Sequence, residues 1–236
     1  MNNSGTVYGA DAMDFDTLAS KYVGEVAATY DRRRTLARWE PEQAAIGALL
    51  KNVSKGVRVL DVPVGTGRVF PFYRQLEAQV TGLDISQDML SVAAEYAAEL
   101  QFGVELRQGD IRSLPFPDRA FDLVTCIRFL NWVDFSGLRQ SVGELSRVCA
   151  NQMLIGTRHK AIFRDLRPRR ADLGRLLKLL TRYPEGRERS KGLVYHTRLE
   201  MQRVFKEFGL EVKDFRQTDR RWDGTDYMIY LLQRSH

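Results

Sequence analysis

The segment VRVLDVPVGTGRVF, Val57 to Phe70, decides the reading of this chain. Its first five residues are rich in apolar side chains and end on Asp61, the pattern of a buried strand. A loop carrying Pro63, Gly65 and Gly67 follows, and then a helix. Glycines at such a turn let the backbone approach a ligand, and the next helix offers free N–H groups. The dinucleotide fingerprint G-x-G-x-x-G requires a third glycine where Phe70 stands. A phosphate loop, G-x-x-x-x-G-K-[ST], is absent as well. The loop therefore reads as the holder of a nucleoside without phosphates, or as a tight structural turn.

Outward from this loop the chain alternates strands and helices. QVTGLD, GVELRQGD, FDLVTCI and NQMLIGT read as further strands; GRVFPFYRQLE, QDMLSVAAEYAAEL and LRQSVGELSRV read as helices. Ser86 is an N-cap candidate. Such alternation predicts right-handed βαβ units and a parallel sheet covered on both faces. Upstream, Leu18, Tyr22, Val26 and Tyr30 share a helical face, and Pro41 suits the first turn of a second helix. Downstream, TRLE at Thr197 to Glu200 is a capping box, with Met201, Val204, Phe205 and Phe208 as the apolar stripe and Gly209 as the stop. LEVKDFRQT and TDYMIYLLQ then form a hairpin-like pair of strands. The predicted fold is α/β: a doubly wound, mostly parallel, seven-stranded Rossmann-like sheet with helices on both faces, an antiparallel last strand and a helical cap insertion. One domain is expected over residues 1–236, with 1–50 as tail and lid helices and 157–196 as the basic cap.

The chain has 236 residues, 44% hydrophobic and 28% charged, enough for one α/β domain with a substantial core. No run of about 18 apolar residues exists, and the acidic N-terminus has no signal-peptide pattern. Cys126 and Cys149 read as reduced core thiols, and the three histidines have no metal-ligand spacing. A cytoplasmic protein without metal is the expectation. Net charge is +6, but Thr157 to Lys191 alone holds 12 Lys/Arg against 4 Asp/Glu, so the remainder is slightly acidic.

Asp61, Asp84 and Asp110 end successive predicted strands and so line one crevice. Asp84 is placed to grip ribose hydroxyls. Asp110 is placed to accept from an exocyclic amine, and Asp61 to meet an ammonium group. Ile85, Met89 and Ile111 would sandwich a flat base. An acidic, phosphate-free pocket suits a cationic nucleoside.

VLDVPVGTGR, VTGLDISQDML, GDIRSLPFPDRAFDLV and CIRFLNWV, in this order and spacing, resemble the motifs of class I S-adenosylmethionine-dependent methyltransferases. The likeness is to the small-molecule group that includes quinone-biosynthesis enzymes, and it runs from about Tyr30 to Arg158. The resemblance implies S-adenosylmethionine as cofactor and S-adenosylhomocysteine as product. It implies that Asp61, Gly65 and Gly67 hold the methionine part of the cofactor, that Pro63 and Arg68 belong to the cofactor-binding residues, and that Asp84 takes the ribose. Ile85 and Met89 would flank the adenine, Asp110 and Ile111 would read its edge, and Cys126 and Ile127 would offer backbone beside the sulfonium. Tyr30, with Tyr22, would belong to a lid. Two departures stand out: Pro63 replaces the first loop glycine, and Asn131 stands where many relatives have histidine.

Methyl transfer from a sulfonium is an in-line displacement, so positioning and water exclusion dominate, and a base is needed only for a protonated acceptor. His196 is the candidate base, with Tyr195 beside it; the alternative is a histidine that only flanks a helix start. Arg128 and Asn131 are candidate pocket residues, Arg128 for an acidic substrate or else a surface arginine. Trp39, Trp132 and Trp222 read as core or hinge packing. The basic segment reads as a cap helix with a solvated face, as a lid attracting an anionic substrate, or as a contact with an anionic lipid surface. The expected activity is methyl transfer to a small molecule, with oxygen on an anionic or phosphorylated metabolite, lipid or glycan precursor as acceptor. Alternatives are an RNA methyltransferase using the basic cap, disfavoured by CIRFLN after the fourth strand, and a non-catalytic cofactor-binding module.

Overall fold

The computed structural model describes residues 24–29, 36–160, 193–220 and 225–235. The chain forms a seven-stranded sheet in the order β3-β2-β1-β4-β5-β7-β6. The strands are β1 (Arg58–Asp61), β2 (Gln79–Asp84), β3 (Val104–Gln108), β4 (Phe121–Ile127), β5 (Cys149–Lys160), β6 (Leu210–Arg220) and β7 (Thr225–Arg234). The first five pair in parallel; β7 runs antiparallel between β5 and β6. The helices are α1 (Glu25–Ala28), α2 (Leu36–Leu50), α3 (Phe70–Gln75), α4 (Gln87–Glu99), α5 (Phe135–Val148) and α6 (Arg198–Glu207). The expected sheet and its antiparallel last strand are thus both present.

Strand residues alternate between two hydrophobic cores, because successive side chains point to opposite faces. Leu60, Val124, Met153 and Met228 enter the core that α5 and α6 cover, with Leu138, Val142 and Phe205. Their neighbours Val59, Leu123, Leu154 and Ile229 enter the other core, with Ile46, Phe70 and Leu90 from α2, α3 and α4. A sheet apolar on both faces must be covered on both, which forces the doubly wound arrangement.

The caps behave as their side chains dictate. Ser86 Oγ accepts from Met89 N at 3.3 Å. Thr197 and Glu200 close the capping box at the start of α6. Asp134 Oδ1 accepts from Gly137 N at 2.7 Å, which starts α5 at Phe135 rather than at Leu138. The other boundary corrections have physical causes too. α2 begins at Leu36 and carries Pro41 inside it, not at its first position. α3 is cut to Phe70–Gln75 because the turn through Gly67 occupies the preceding residues. Of the segment from Leu18 to Tyr30, α1 alone is described; Tyr22, Tyr30, Trp222 and the basic segment 161–192 lie outside the described residues. Among the described residues no helix is long and apolar enough to cross a membrane. Both cysteines are buried and unpaired.

The loop after β1 shows why Phe70 replaces a glycine. Gly67 has φ 77°, and a Cβ there would run into the Phe70 ring. Phe70 is fully buried and packs near Tyr96 and Phe102, with ring centroids 6.3 and 6.1 Å away. The phenylalanine fills the space beneath the turn, and Gly67 gives it room. Gly67→Ala is therefore expected to destabilise the fold by roughly 2–4 kcal/mol, from left-handed backbone strain plus overpacking. Urea unfolding monitored by circular dichroism measures this; an unchanged midpoint would refute the packing role.

Candidate active site

β1 leads to β2 and β3 on one side, whereas β4 lies on the other side of β1. The carboxyl ends of β1 and β4 therefore form the switch point of the sheet, where a crevice must open. One cavity occupies it. Its wall contains eleven of the residues singled out from the sequence: Asp61, Pro63, Gly65, Arg68, Asp84, Ile85, Met89, Asp110, Ile111, Ile127 and Arg128.

The acidic side is built by strand ends. Asp61, the last residue of β1, is 2% exposed. Its Oδ1 accepts from Thr125 Oγ1 at 2.8 Å, and Thr125 is in turn 2.6 Å from Tyr73 Oη. Its Oδ2 is buried and has no hydrogen-bond partner among the described residues. Burial pushes the Asp61 carboxyl up to about 7, against the pull of Thr125, Tyr73 and Arg68. Asp84, the last residue of β2, holds the glycine loop: Oδ2 accepts from Gly65 N at 2.9 Å and Oδ1 from Ser86 N at 3.0 Å. Burial raises its pKa as well, opposed by those backbone N–H groups. Each of its oxygens keeps acceptor capacity for a further donor. Gly65 has φ 56° and open space where a Cβ would stand. Pro63 costs the loop nothing in hydrogen bonds. The donors on either side of it carry the loop: Val62 N to Thr125 O at 2.9 Å and Val64 N to Leu83 O at 2.9 Å.

Other predicted residues land elsewhere. Gly67 shapes the turn but does not line the cavity. Cys126 is fully buried in the core beneath α5, on the opposite strand face from Ile127, and burial pushes its thiol far up. Asp110 lines the cavity, but its carboxylate is gripped by the fork of Arg112, with Nη2 at 2.7 Å and Nε at 2.9 Å from Oδ2. Asn131 is 6% exposed and outside the cavity lining. Its amide donates to Arg158 O and Val194 O, each at 2.8 Å, and accepts from Arg158 N at 2.7 Å. It is a bracket joining β5 to residue 194. His196 is 2% exposed, and its Nε2 lies 3.0 Å from Leu130 O and 3.1 Å from Val133 O. Facing two carbonyls, Nε2 must carry the proton, and burial lowers the pKa of the ring. Neither His196 nor Tyr195 lines the cavity. Local spacing could not show that Asn131 and His196 turn inward.

Phe129 and Trp132 do line the cavity, although the tryptophan reads from the sequence as packing. The residues after a strand's carboxyl end belong to the crevice by topology, and that was the signal available. Glu42 was not legible at all. It is a buried carboxylate on α2 that pairs with both Arg68 and Arg128.

Fold and site together define an α/β protein with a crevice, lined by strand-end aspartates and apolar side chains, at the switch point of its sheet. Residues 59–152 match a family described as a methyltransferase domain. A phosphatidylethanolamine N-methyltransferase of Cereibacter sphaeroides is 43% identical over 98 residues, 41% of this chain and 47% of that protein. This chain spans about half the length of the curated relatives it matches. The crystal structure of magnesium protoporphyrin IX methyltransferase from Synechocystis PCC 6803 superposes with a TM-score of 0.71 at 15% identity, covering 94% of this chain and 100% of that one. The [4+2]-cyclase SpnF has the same fold, with a TM-score of 0.63 at 19% identity over 80% of this chain and 79% of that one. Residues 59–152 are thus similar to a methyltransferase domain, on a fold shared with solved methyltransferases.

Proposed function

We propose that the protein is an S-adenosylmethionine-dependent methyltransferase acting on a small molecule. The observation that carries this is Asp61 Oδ2, a buried carboxylate oxygen without a hydrogen-bond partner among the described residues, at the wall of a crevice that also holds the apolar side chains of Ile85, Met89 and Ile111. A buried orphan acceptor calls for a donor, and a cation satisfies it best. S-adenosylmethionine fits on three counts. Its ammonium suits Asp61, its ribose hydroxyls suit the remaining acceptor capacity of Asp84, and its adenine suits the space by Ile85, Met89 and Ile111.

When bound, the cofactor supplies an already activated methyl group. The chain's residues then orient and exclude water. Asp84 fixes the ribose and the Gly65 loop together. Phe129 and Trp132 contribute apolar wall near the end of β4. The described residues lining the cavity comprise aspartates and arginines as their only ionisable groups. An acceptor that arrives deprotonated, such as a carboxylate or phosphate oxygen, matches this wall, since it has no proton to lose. The finer reading is therefore methyl transfer to oxygen on an anionic metabolite, lipid or glycan precursor. The sharing of this fold by a cyclase keeps a second reading open, in which the cofactor is bound but no methyl is transferred.

Thermal unfolding with S-adenosylmethionine, S-adenosylhomocysteine and NAD in parallel tests the first step. At a hundred times Kd, each sulfur nucleoside is expected to raise Tm by roughly 5–10 °C, and NAD not at all. No shift with either would refute the cofactor assignment. Release of S-adenosylhomocysteine on incubation with pooled carboxylate and phosphate metabolites separates catalysis from binding alone.

A further inference from the structure

Two buried histidines and one buried asparagine join three segments that are far apart in the chain. Asn131, between β4 and α5, fills all four hydrogen-bonding positions of its side-chain amide: two donations to Arg158 O and Val194 O, and two acceptances from Arg158 N and Thr157 Oγ1. Its own carbonyl accepts from Val194 N at 2.7 Å. His159 on β5 and His196, 37 positions apart, form a parallel β-bridge. His159 Nδ1 faces His196 O at 3.0 Å, and its Nε2 faces Tyr230 Oη at 2.9 Å. A carbonyl only accepts, so Nδ1 carries the proton and Nε2 accepts from the tyrosine hydroxyl. His196 Nε2 donates into the carbonyls of Leu130 and Val133. These contacts clasp residues 194–196 to β5 and to the loop of residues 129–133. That loop carries Phe129 and Trp132 into the crevice wall.

Both rings are used as neutral imidazoles. A second proton would place a charge where water does not reach. Burial accordingly lowers both pKa values, that of His159 to about 4. The charges around them are mixed. Asp226 on β7 favours a charged His159, whereas Arg198 on α6 and His196 oppose it; Arg198 and Asp226 pair with each other at 2.7 Å. Glu200 on α6 and Asp134 at the start of α5 favour a charged His196. Burial outweighs them at both rings. When the clasp opens, water reaches the imidazoles and their ordinary value near 6.5 returns.

We propose that Asn131, His159 and His196 form an acid-released clasp, which fixes the crevice wall carried by residues 129–133 and lets it go on proton uptake. A histidine with a lowered pKa in the closed form contributes fully above about 6.5. Its contribution declines as pH falls below that value and stops declining at the closed value, about 4 for His159. The clasp is independent of what the crevice binds, so it stands or falls apart from the cofactor reading.

Amide hydrogen exchange of the full chain without ligand, at pH 7.5 and 5.5, reads the opening once each rate is divided by its intrinsic rate. Val194 N and Arg158 N both donate to Asn131. Their protection is expected to fall about tenfold for each histidine, roughly 100-fold in all. Val62 N, bonded to Thr125 O within the sheet, is the reference and is expected to keep its protection. His196→Gln still donates to the two carbonyls, and His159→Asn still donates to His196 O, but neither titrates. Each is expected to leave only about a tenfold fall, and the double variant none. An equal fall at Val62 N, no fall at Val194 N and Arg158 N, or the full fall in both single variants would overturn the clasp. Should a variant fail to fold, NMR of the ring Cε1–H groups in the wild-type protein decides. Rings that stay neutral at pH 5.5 while Val194 N is protected bear the clasp out; rings that titrate near 6.5 under the same protection overturn it.

Discussion

Replacing Asp84 by alanine is expected to raise the Kd for S-adenosylhomocysteine by roughly 10²–10⁴-fold. The estimate is two charge-assisted hydrogen bonds from ribose hydroxyls, at about 1.5–3 kcal/mol each. The same carboxylate accepts from Gly65 N and Ser86 N, so its loss also releases the glycine loop and the start of α4. Asp84→Asn separates these effects. It retains a carbonyl oxygen for one backbone bond but removes the charge, and its affinity is expected to lie between wild type and alanine. Calorimetry measures the ligand, and circular dichroism confirms that α4 persists. An Asp84→Ala protein that binds with wild-type affinity would overturn the ribose assignment, and with it the orientation of the nucleoside in the crevice.

The second large effect is one of pH. Burial holds the Asp61 carboxyl up at about 7, far above its ordinary 3.8. An ammonium group at Oδ2 favours the ionised form, so below that pH binding must release a proton. Affinity for S-adenosylhomocysteine is expected to rise about tenfold per unit from pH 5 to pH 7 and then to level off. In Asp61→Asn the profile should be flat at the weak limit. Calorimetry in two buffers of different ionisation enthalpy counts the released proton; a count near zero at pH 6 would refute the Asp61–ammonium contact. The stability of the free protein runs in the opposite direction. A carboxyl whose folded pKa is raised keeps a proton that the unfolded chain has already lost, so its contribution is full below about 4 and disappears as pH rises through about 7. The size of that loss is on the order of 4 kcal/mol. The ligand offsets it, which makes the thermal shift by S-adenosylhomocysteine largest above pH 7.

Much of this architecture was legible because it rests on local rules. The apolar runs in VRVLD, QVTGLD and FDLVTCI and the capping residues Ser86 and Thr197 mark elements whose geometry depends on near neighbours. The strand-end aspartates were legible for a topological reason: wherever a strand of a parallel sheet ends, its carboxyl end faces the crevice. Asp61, Asp84 and Asp110 could therefore be assigned to one wall without coordinates. What chain-local reasoning misjudged was the direction of side chains in irregular segments. Asn131, Tyr195 and His196 sit near the mouth in sequence, yet Asn131 and His196 turn into backbone carbonyls of other segments. Trp132, one residue beyond Asn131, turns to the cavity instead.

The sequence by itself determined the alternation of strands and helices, the loop that opens the crevice and the acidic residues that line it. These follow from patterns a few residues long together with the handedness of βαβ connections. Only the tertiary structure decided that Asp61 keeps an oxygen without a hydrogen-bond partner among the described residues and that Phe70 stands under Gly67 in place of a glycine. It alone brought Glu42 between Arg68 and Arg128, because burial and ion pairing across 26 residues to Arg68 depend on how α2 packs on the sheet. No spacing along the chain encodes a partner that folding brings from another element.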